Sequence, residues 1–359
     1  MELENIENLK GEAISLLKEL IKIPSLSKEE DAAAGLIATF LHSKNIVFSR
    51  RGNNVWAANR HYDPRLPTIL LNSHHDTVKP NHGYTRDPFE ADIEEGKLYG
   101  LGSNDAGGCL VSLIMAFVYF YEQNLPYNLI LAATAEEEIS GKGGIESILT
   151  ELPEIHLAIV GEPTLLQLAV AEKGLLVIDA EVKGKAGHAA RDEGVNAIYK
   201  ALEDLNLIKD YRFRKKSDYL GENKVTATII QAGSQHNVVP DLCGYTLDVR
   251  VTDAYSLEEA FEELNAVLQA ELKPRSLRLN SSRIDANHKI LQVAAQMGLT
   301  LFGSPTLSDQ ALIPYPSVKI GPGDSARSHT PDEFIHLEEI EKGVEFYIDL
   351  LKRYFDLKY

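Results

Sequence analysis

The sequence predicts a layered α/β protein of two domains: a sheet flanked by helices, with a smaller β-α-β-β-α-β unit inserted into it. Three observations carry that prediction. Short apolar strands alternate with helical segments through the first part of the chain. The rhythm changes at Gly174 and returns near Ser282. The 359 residues also exceed the roughly 250–300 that one hydrophobic core usually serves. Strands and helices in alternation bury their apolar faces against each other, which builds layers.

The opening segment, MELENIENLKGEAISLLKEL, reads as an acidic amphipathic helix, without the basic start, apolar stretch and small-residue cleavage site of a signal peptide. Ser27-Lys28-Glu29-Glu30 fits a capping box ahead of a second helix over 32–42. Strands follow over 54–59, 68–73, 129–134 and 158–160, with helices over 109–121 and 143–149. The apolar run from Cys109 to Phe120 is too short to span a bilayer and contains Ser112, so it reads as a core helix.

From Gly174 the pattern gives a strand over 175–182, a helix over 195–207 and strands over 224–230 and 243–251. A helix over 257–272, opened by the capping box Ser256-Leu257-Glu258-Glu259, and a strand over 276–279 complete it. This is the order of a ferredoxin-like unit, which assigns 174–281 to an inserted domain and 1–173 with 282–359 to a discontinuous main domain. The last part reads as a helix over 288–302, a strand over 317–320 and a long helix over 337–355.

Composition narrows the function classes. At 44% hydrophobic and 25% charged residues the chain has an ordinary globular balance. Its formal charge of −17 opposes the counterion release that drives nucleic-acid binding, so nucleic acid is not an expected partner, and without an apolar run long enough to span a bilayer neither is a membrane. Cys109 and Cys243 lie far apart in apolar segments, which suits reduced buried thiols in a cytoplasmic protein.

Five places put metal-capable side chains where an apolar strand is expected to stop: His74 and Asp76 in NSHHDTVKP, Asp105 in GLGSNDAGG, Glu136 to Glu138 in ATAEEEISG, Glu162 in IVGEPT and His329 in GPGDSARSHTPDE. Each alone has an ordinary explanation, as a turn aspartate, a solvated helix start or a surface-loop histidine. Together they are harder to dismiss, because open α/β sheets form sites at their strand ends and buried charges need compensation. Carboxylates and imidazoles without cysteine suit a catalytic rather than a structural zinc site, and their number suits two ions if one carboxylate bridges.

These motifs resemble the cocatalytic zinc amidohydrolases that include acetylornithine deacetylase, succinyl-diaminopimelate desuccinylase, aminoacylase and the glutamate carboxypeptidases. The resemblance runs in order through His74-x-Asp76, Asp105-x-x-Gly108, Glu137-Glu138, Gly161-Glu162-Pro163-Thr164, Gly187-His188, Asn237-x-x-Pro240 and His329. It implies a zinc-peptidase-like catalytic domain with a central mixed sheet, and an inserted lid and dimerisation domain. His74 and Glu162 would hold one ion, Glu138 and His329 the other, with Asp105 bridging. The ions are expected to be zinc, with cobalt or manganese as alternatives. Asp76 would orient His74, and Glu137 would act as general base. His188 would reach the partner subunit's site of a homodimer and steady the oxyanion, and Asn237, Arg250 and Gly323 would bind substrate. Arg250 is equally placed to pair with Asp248.

Two positions depart from the family pattern: Gly107 stands where a lysine is usual, and Lys79 interrupts the usual Val-Pro. Neither removes a ligand. The run of three glutamates leaves a register ambiguity, since a shift by one would exchange the base and the ligand. The closest likeness is to the acetylornithine deacetylase branch, which implies hydrolysis of an N-acyl amino acid such as N-acetylornithine, N-acetylcitrulline or N-succinylornithine in arginine synthesis. A dipeptidase or aminopeptidase with the same metal site is the nearest alternative, and a non-catalytic binding protein of this fold a remote one. Alternate residues of a strand share a face, so His74 and Asp76 project together and His75 points away.

Overall fold

The computed structural model describes residues 2–191 and 193–357. The chain divides into two compact units, one of residues 1–170, 283–302 and 308–359, the other of 171–282 and 303–307. The pattern of the sequence had left 171–173, 282 and 303–307 with the first.

In the first unit the sheet runs in the order Ser49–Arg51, Asn54–Ala58, Asn128–Thr134, Thr68–His74, Leu157–Val160, Ser317–Lys319, Leu168–Glu172. It is mixed: Thr68–His74 lies parallel to both Asn128–Thr134 and Leu157–Val160, and Ser317–Lys319 is parallel to the latter, while the outer pairings are antiparallel. Both faces are covered, which is why these strands are continuous apolar runs rather than alternating ones. Ile69, Leu71, Leu129, Leu131, Ile159 and Val318 pack beneath helices Glu2–Ile21, Gly108–Phe120 and Leu337–Asp356. Leu70, Ile130, Ala132 and Val160 face a smaller cluster with Trp56, Ile145, Ile148 and Ile313. Residues Ser103–Phe120 are long and apolar enough to cross a bilayer by length and composition, but 78% of that stretch is buried inside the protein, as befits a core helix.

The second unit is a four-stranded antiparallel sheet in the order Lys224–Ala232, Leu242–Val251, Gly174–Lys183, Glu271–Pro274. With helices Ala197–Lys209 and Leu257–Asn265 between strands, the β-α-β-β-α-β order and its strand arrangement are ferredoxin-like. Leu176, Ile178, Ala180 and Val182 alternate inward with Cys243, Tyr245, Leu247 and Val249, covering one face with the two helices.

Three local expectations fail for identifiable reasons. Helix Asp31–Ser43 has Glu30 at its N-cap without a side-chain cap, and Ser27 is drawn away to Asp76, so the first capping box does not form. The box at Ser256 and Glu259 does. Helix Leu257–Asn265 stops short of 272 because the buried carboxylate of Asp204 captures the amides of Gln269 and Ala270, and the last strand forms at Glu271–Pro274 instead of 276–279. Helix Lys289–Gln296 ends early, where Gly298 adopts φ +67° and Leu299 donates back to Ala294, a left-handed stop that favours glycine.

Candidate metal centre

The parallel strands point their carboxyl ends the same way, and the side chains that follow them converge there. His74 closes its strand opposite Thr134. Its Nδ1 lies 3.0 Å from the Asp76 carbonyl oxygen and 3.4 Å from Asp76 Oδ1, while Nε2 faces Asp105 Oδ1 at 3.4 Å, Glu162 Oε1 at 3.7 Å and Glu137 Oε2 at 3.8 Å. On the other side of Asp105, Oδ2 is 3.7 Å from His329 Nε2, which is 2.9 Å from Glu138 Oε2. Among the described residues, three groups have possible ligand atoms all within 4.8 Å of one another: His74, Asp105 and Glu162; Asp105, Glu138 and His329; and His74, Glu137 and Glu138. Asp105 is the member common to the first two.

Asp76 does more than face His74. Its Oδ1 accepts from the Glu137 amide at 3.0 Å and its Oδ2 from the Glu138 amide at 3.2 Å and the Ser27 hydroxyl at 2.7 Å. It therefore fixes the short helical turn Glu137–Ile139 against the strand end. Glu136, at φ +55°, precedes that turn and its amide donates to the buried carboxylate of Glu30. His75 turns away, with Nε2 2.9 Å from the Asn53 carbonyl oxygen, and burial pushes its pKa down.

His329 sits at φ +60°, a conformation that costs an ordinary residue about 1–2 kcal/mol. The loop is tied down around it. Asn81 donates to the His329 carbonyl at 3.2 Å, and Asp332 accepts from the amides of Thr85 and Arg86 and from the Thr85 hydroxyl. Gly323, at φ +89°, lies where a Cβ would come within 2.5 Å of Asn104 Oδ1. Its neighbour Asp324 exchanges two hydrogen bonds with the Asn104 amide side chain. Gly323 thus supports the turn before Asp105.

The second unit holds the other three residues singled out by the sequence. His188 pairs with Val238 in a two-residue ladder, is exposed, and accepts the Ala190 amide at Nδ1. Asn237 is adjacent, its carbonyl accepting from Ala189. Arg250 is engaged by Asp248, Nε to Oδ1 at 2.9 Å and Nη2 to Oδ2 at 3.1 Å. Sequence reasoning missed Ser27, which it took for a helix cap, and the buried carboxylates Asp309 and Glu333. Only the position of Glu333, four residues after His329, offered a signal.

The electrostatics show what the cluster suits. Burial, reinforced by Glu162, Glu138 and Asp309, pushes the Glu137 carboxyl well above the usual range, and burial likewise raises Glu138. Burial alone would lower His74, but Glu137, Asp105, Asp76 and Glu162 hold its imidazole well above the histidine range. His329 is raised to about 9 by its bond to Glu138. Asp105, against the upward push of burial, is held low by His74, Ser328 and His329. His74 Nε2 is fully buried with no hydrogen-bond partner. An orphaned imidazole nitrogen surrounded by carboxylates fits a divalent cation, which compensates the charge and accepts the lone pair of the ring.

Fold and donor set together define a metal-binding hydrolase. The sequence profile of Peptidase family M20/M25/M40 matches residues 70–353, and the chain belongs to that family. The acetylornithine deacetylase of Proteus mirabilis (strain HI4320) is 29% identical over 95% of this chain and 96% of its own length. The succinyl-diaminopimelate desuccinylase of Wolbachia pipientis subsp. Culex pipiens (strain wPip) is 24% identical over 97% and 94%. Among solved structures, an M20 family metallo-carboxypeptidase from Sulfolobus solfataricus aligns over 96% of this chain and 100% of its own, with TM-score 0.75 and 19% identity. The YXEP protein of Bacillus subtilis, described as a dinuclear metal binding peptidase from the M20 family, aligns over 96% and 98%, with TM-score 0.74 and 18% identity.

Proposed function

We propose that the protein is a cytoplasmic, homodimeric deacylase that hydrolyses the amide of an N-α-acyl amino acid, with N-acetylornithine, N-acetylcitrulline or N-succinylornithine as the substrate class, in arginine synthesis. The observation that carries the reading is the pair of donor sets sharing Asp105 with the Glu137 carboxylate beside them. The full-length similarity to a deacetylase and a desuccinylase supports the choice of an acyl amide.

In this reading His74 and Glu162 would hold one ion and Glu138 and His329 the other, with Asp105 contributing to both sets. Two divalent ions, zinc foremost with cobalt or manganese as alternatives, would polarise the acyl carbonyl and lower the pKa of the attacking water. Glu137, largely shielded from solvent, is the general base that takes the proton from that water and returns it to the departing amine. Asp76 fixes the ring of His74 and, through the amides of Glu137 and Glu138, the position of both glutamates. His188 of the partner subunit donates to the oxyanion as charge develops, and Asn237, with Gly323 framing the loop, contacts substrate. Arg250 serves the substrate carboxylate only if it leaves Asp248.

The dimer reading is supported by the edge strand Lys224–Ala232, exposed along nearly its whole length with Ile229 and Ile230 about half exposed. An open, apolar edge is a template for pairing with a second chain. The deciding experiment is turnover of the three acyl amino acids beside a dipeptide panel, with metal analysis of the same sample. Rapid deacylation with two ions per chain supports the reading, and dipeptide cleavage without deacylation overturns it.

A further inference from the structure

We propose that Glu333 is a positioning residue for the metal centre, holding Asp105 through the backbone amides of the turn that carries it. The inference rests on the metal-centre reading above. Glu333 is 2% exposed. Its Oε1 accepts from the amides of Asn104 and Asp105, both at 2.9 Å, and its Oε2 from the amide of Gly102 at 3.2 Å. Three N–H groups of one turn converge on a single carboxylate.

This arrangement decides what Asp105 can do. Its Oδ1 must face His74 and its Oδ2 must face His329 at once, and a short side chain has only two torsions with which to meet both demands. The backbone therefore sets its aim, and Glu333 sets the backbone. The same segment supplies His329 four residues earlier, while Asp332 anchors it to Thr85 and Arg86. One stretch of chain thus carries a ligand of the second donor set and fixes the residue common to both.

A carbonyl would satisfy these amides at less electrostatic cost than a carboxylate buried next to Asp105. A second negative charge at that place is compensated where cations lie on the other side of Asp105. Partners that orient metal ligands are worth about 10–100-fold in metal affinity or activity, and that is the effect assigned to Glu333.

The test titrates metal-stripped protein with Co2+, following visible absorption, for the unaltered chain, Glu333→Gln and Glu333→Asp. The glutamine retains one oxygen for the Asn104 and Asp105 amides, whereas the aspartate keeps the charge but withdraws it from the turn. Melting temperature and a KM against kcat comparison accompany each titration. The expected result is a folded Glu333→Gln protein with affinity for Co2+ weakened about tenfold or more, an altered Co2+ spectrum and lowered kcat at little-changed KM. The aspartate variant is expected to be affected more.

Unchanged Co2+ affinity and spectrum, whatever the melting temperature, overturn the proposal and leave Glu333 a purely structural residue. Failure of both variants to fold has the same consequence. If the unaltered chain itself binds no Co2+, the metal-centre reading fails first, and the two failures are distinguished by that control.

Discussion

Ser27 donates its hydroxyl hydrogen to Oδ2 of Asp76 across 2.7 Å, tying the loop before the second helix to the residue that steadies His74, Glu137 and Glu138. The hydroxyl joins the Glu137 and Glu138 amides on that buried carboxylate, which His74 Nδ1 also faces at 3.4 Å. Ser27→Ala therefore leaves Oδ2 with the Glu138 amide alone. Losing such a partner costs about 1–3 kcal/mol, and the effect should concentrate at the centre. The expected outcome is a folded protein with kcat lowered about tenfold, restored in large part by Ser27→Thr. Steady-state kinetics and thermal melts of both variants check it, and equal activity in all three proteins would remove Ser27 from the site.

The Glu137 and Glu138 carboxylates diverge: Glu137 Oε2 faces His74, and Glu138 Oε2 meets His329 at 2.9 Å. Glu137→Gln should keep its metal and lose turnover about 100- to 10,000-fold, the contribution of a general base. Glu138→Gln should lose one of two ions. Metal analysis of the two proteins resolves the register, and the opposite pattern would exchange their roles.

Part of this cluster was legible in the sequence because a strand end is a local event: an apolar run stops and a metal-capable side chain follows. His74, Glu138 and Glu162 stand at the ends of Thr68–His74, Asn128–Thr134 and Leu157–Val160, parallel strands that share one carboxyl edge, whereas Asp105 is brought there by the turn Ser103–Gly107 and His329 by the loop beyond Ser317–Lys319. The split between His74 and His75 follows from the strand period alone. What the sequence concealed is the support. Ser27 carries the local signature of a helix cap, but an electrostatic demand 49 residues away claims its hydroxyl. Glu333 looks like a loop acid until three amides from residues 102–105 are seen to meet it. Helix 257–272 ends early for the same reason, since a distant aspartate takes the amides it needs. Side chains that satisfy backbone groups far along the chain leave no periodicity to read.

Gly323→Ala combines two costs. The left-handed backbone at φ +89° is unfavourable for alanine, and the added carbon would lie 2.5 Å from Asn104 Oδ1. Asn104 moves or its bonds to Asp324 break, and the turn that carries Asp105 shifts with it. A loss of about 1–2 kcal/mol is expected from the backbone alone, with activity falling more than stability predicts. Denaturant unfolding beside kinetics measures both, and unchanged activity in a destabilised protein would confine Gly323 to the fold.

Removal of metal should loosen the first unit. A ligand that binds only the folded state stabilises it by about 2.7 kcal/mol at one hundred times its dissociation constant. Dialysis against a chelator should therefore lower the melting temperature by several degrees, about 2–4 °C for each kcal/mol in a unit of this size, and Zn2+ should restore it. Calorimetry of stripped and reloaded protein reads the shift. Identical melting curves would mean that the cluster holds no ion.

The role proposed for His188 makes a prediction about mixtures. If His188 serves the partner subunit, a dimer of one His188→Ala chain and one Glu137→Gln chain contains one site with both defects and one with neither. Random exchange of equal amounts makes half of the dimers mixed, so about a quarter of unaltered activity should return in an isologous dimer. If His188 serves its own chain, each site of the mixed dimer has one defect and nothing returns. Activity after unfolding and refolding the mixed chains together, with the mixed dimer confirmed by tagged subunits, separates the two cases. A null result in confirmed mixed dimers would overturn the sharing of His188 between subunits.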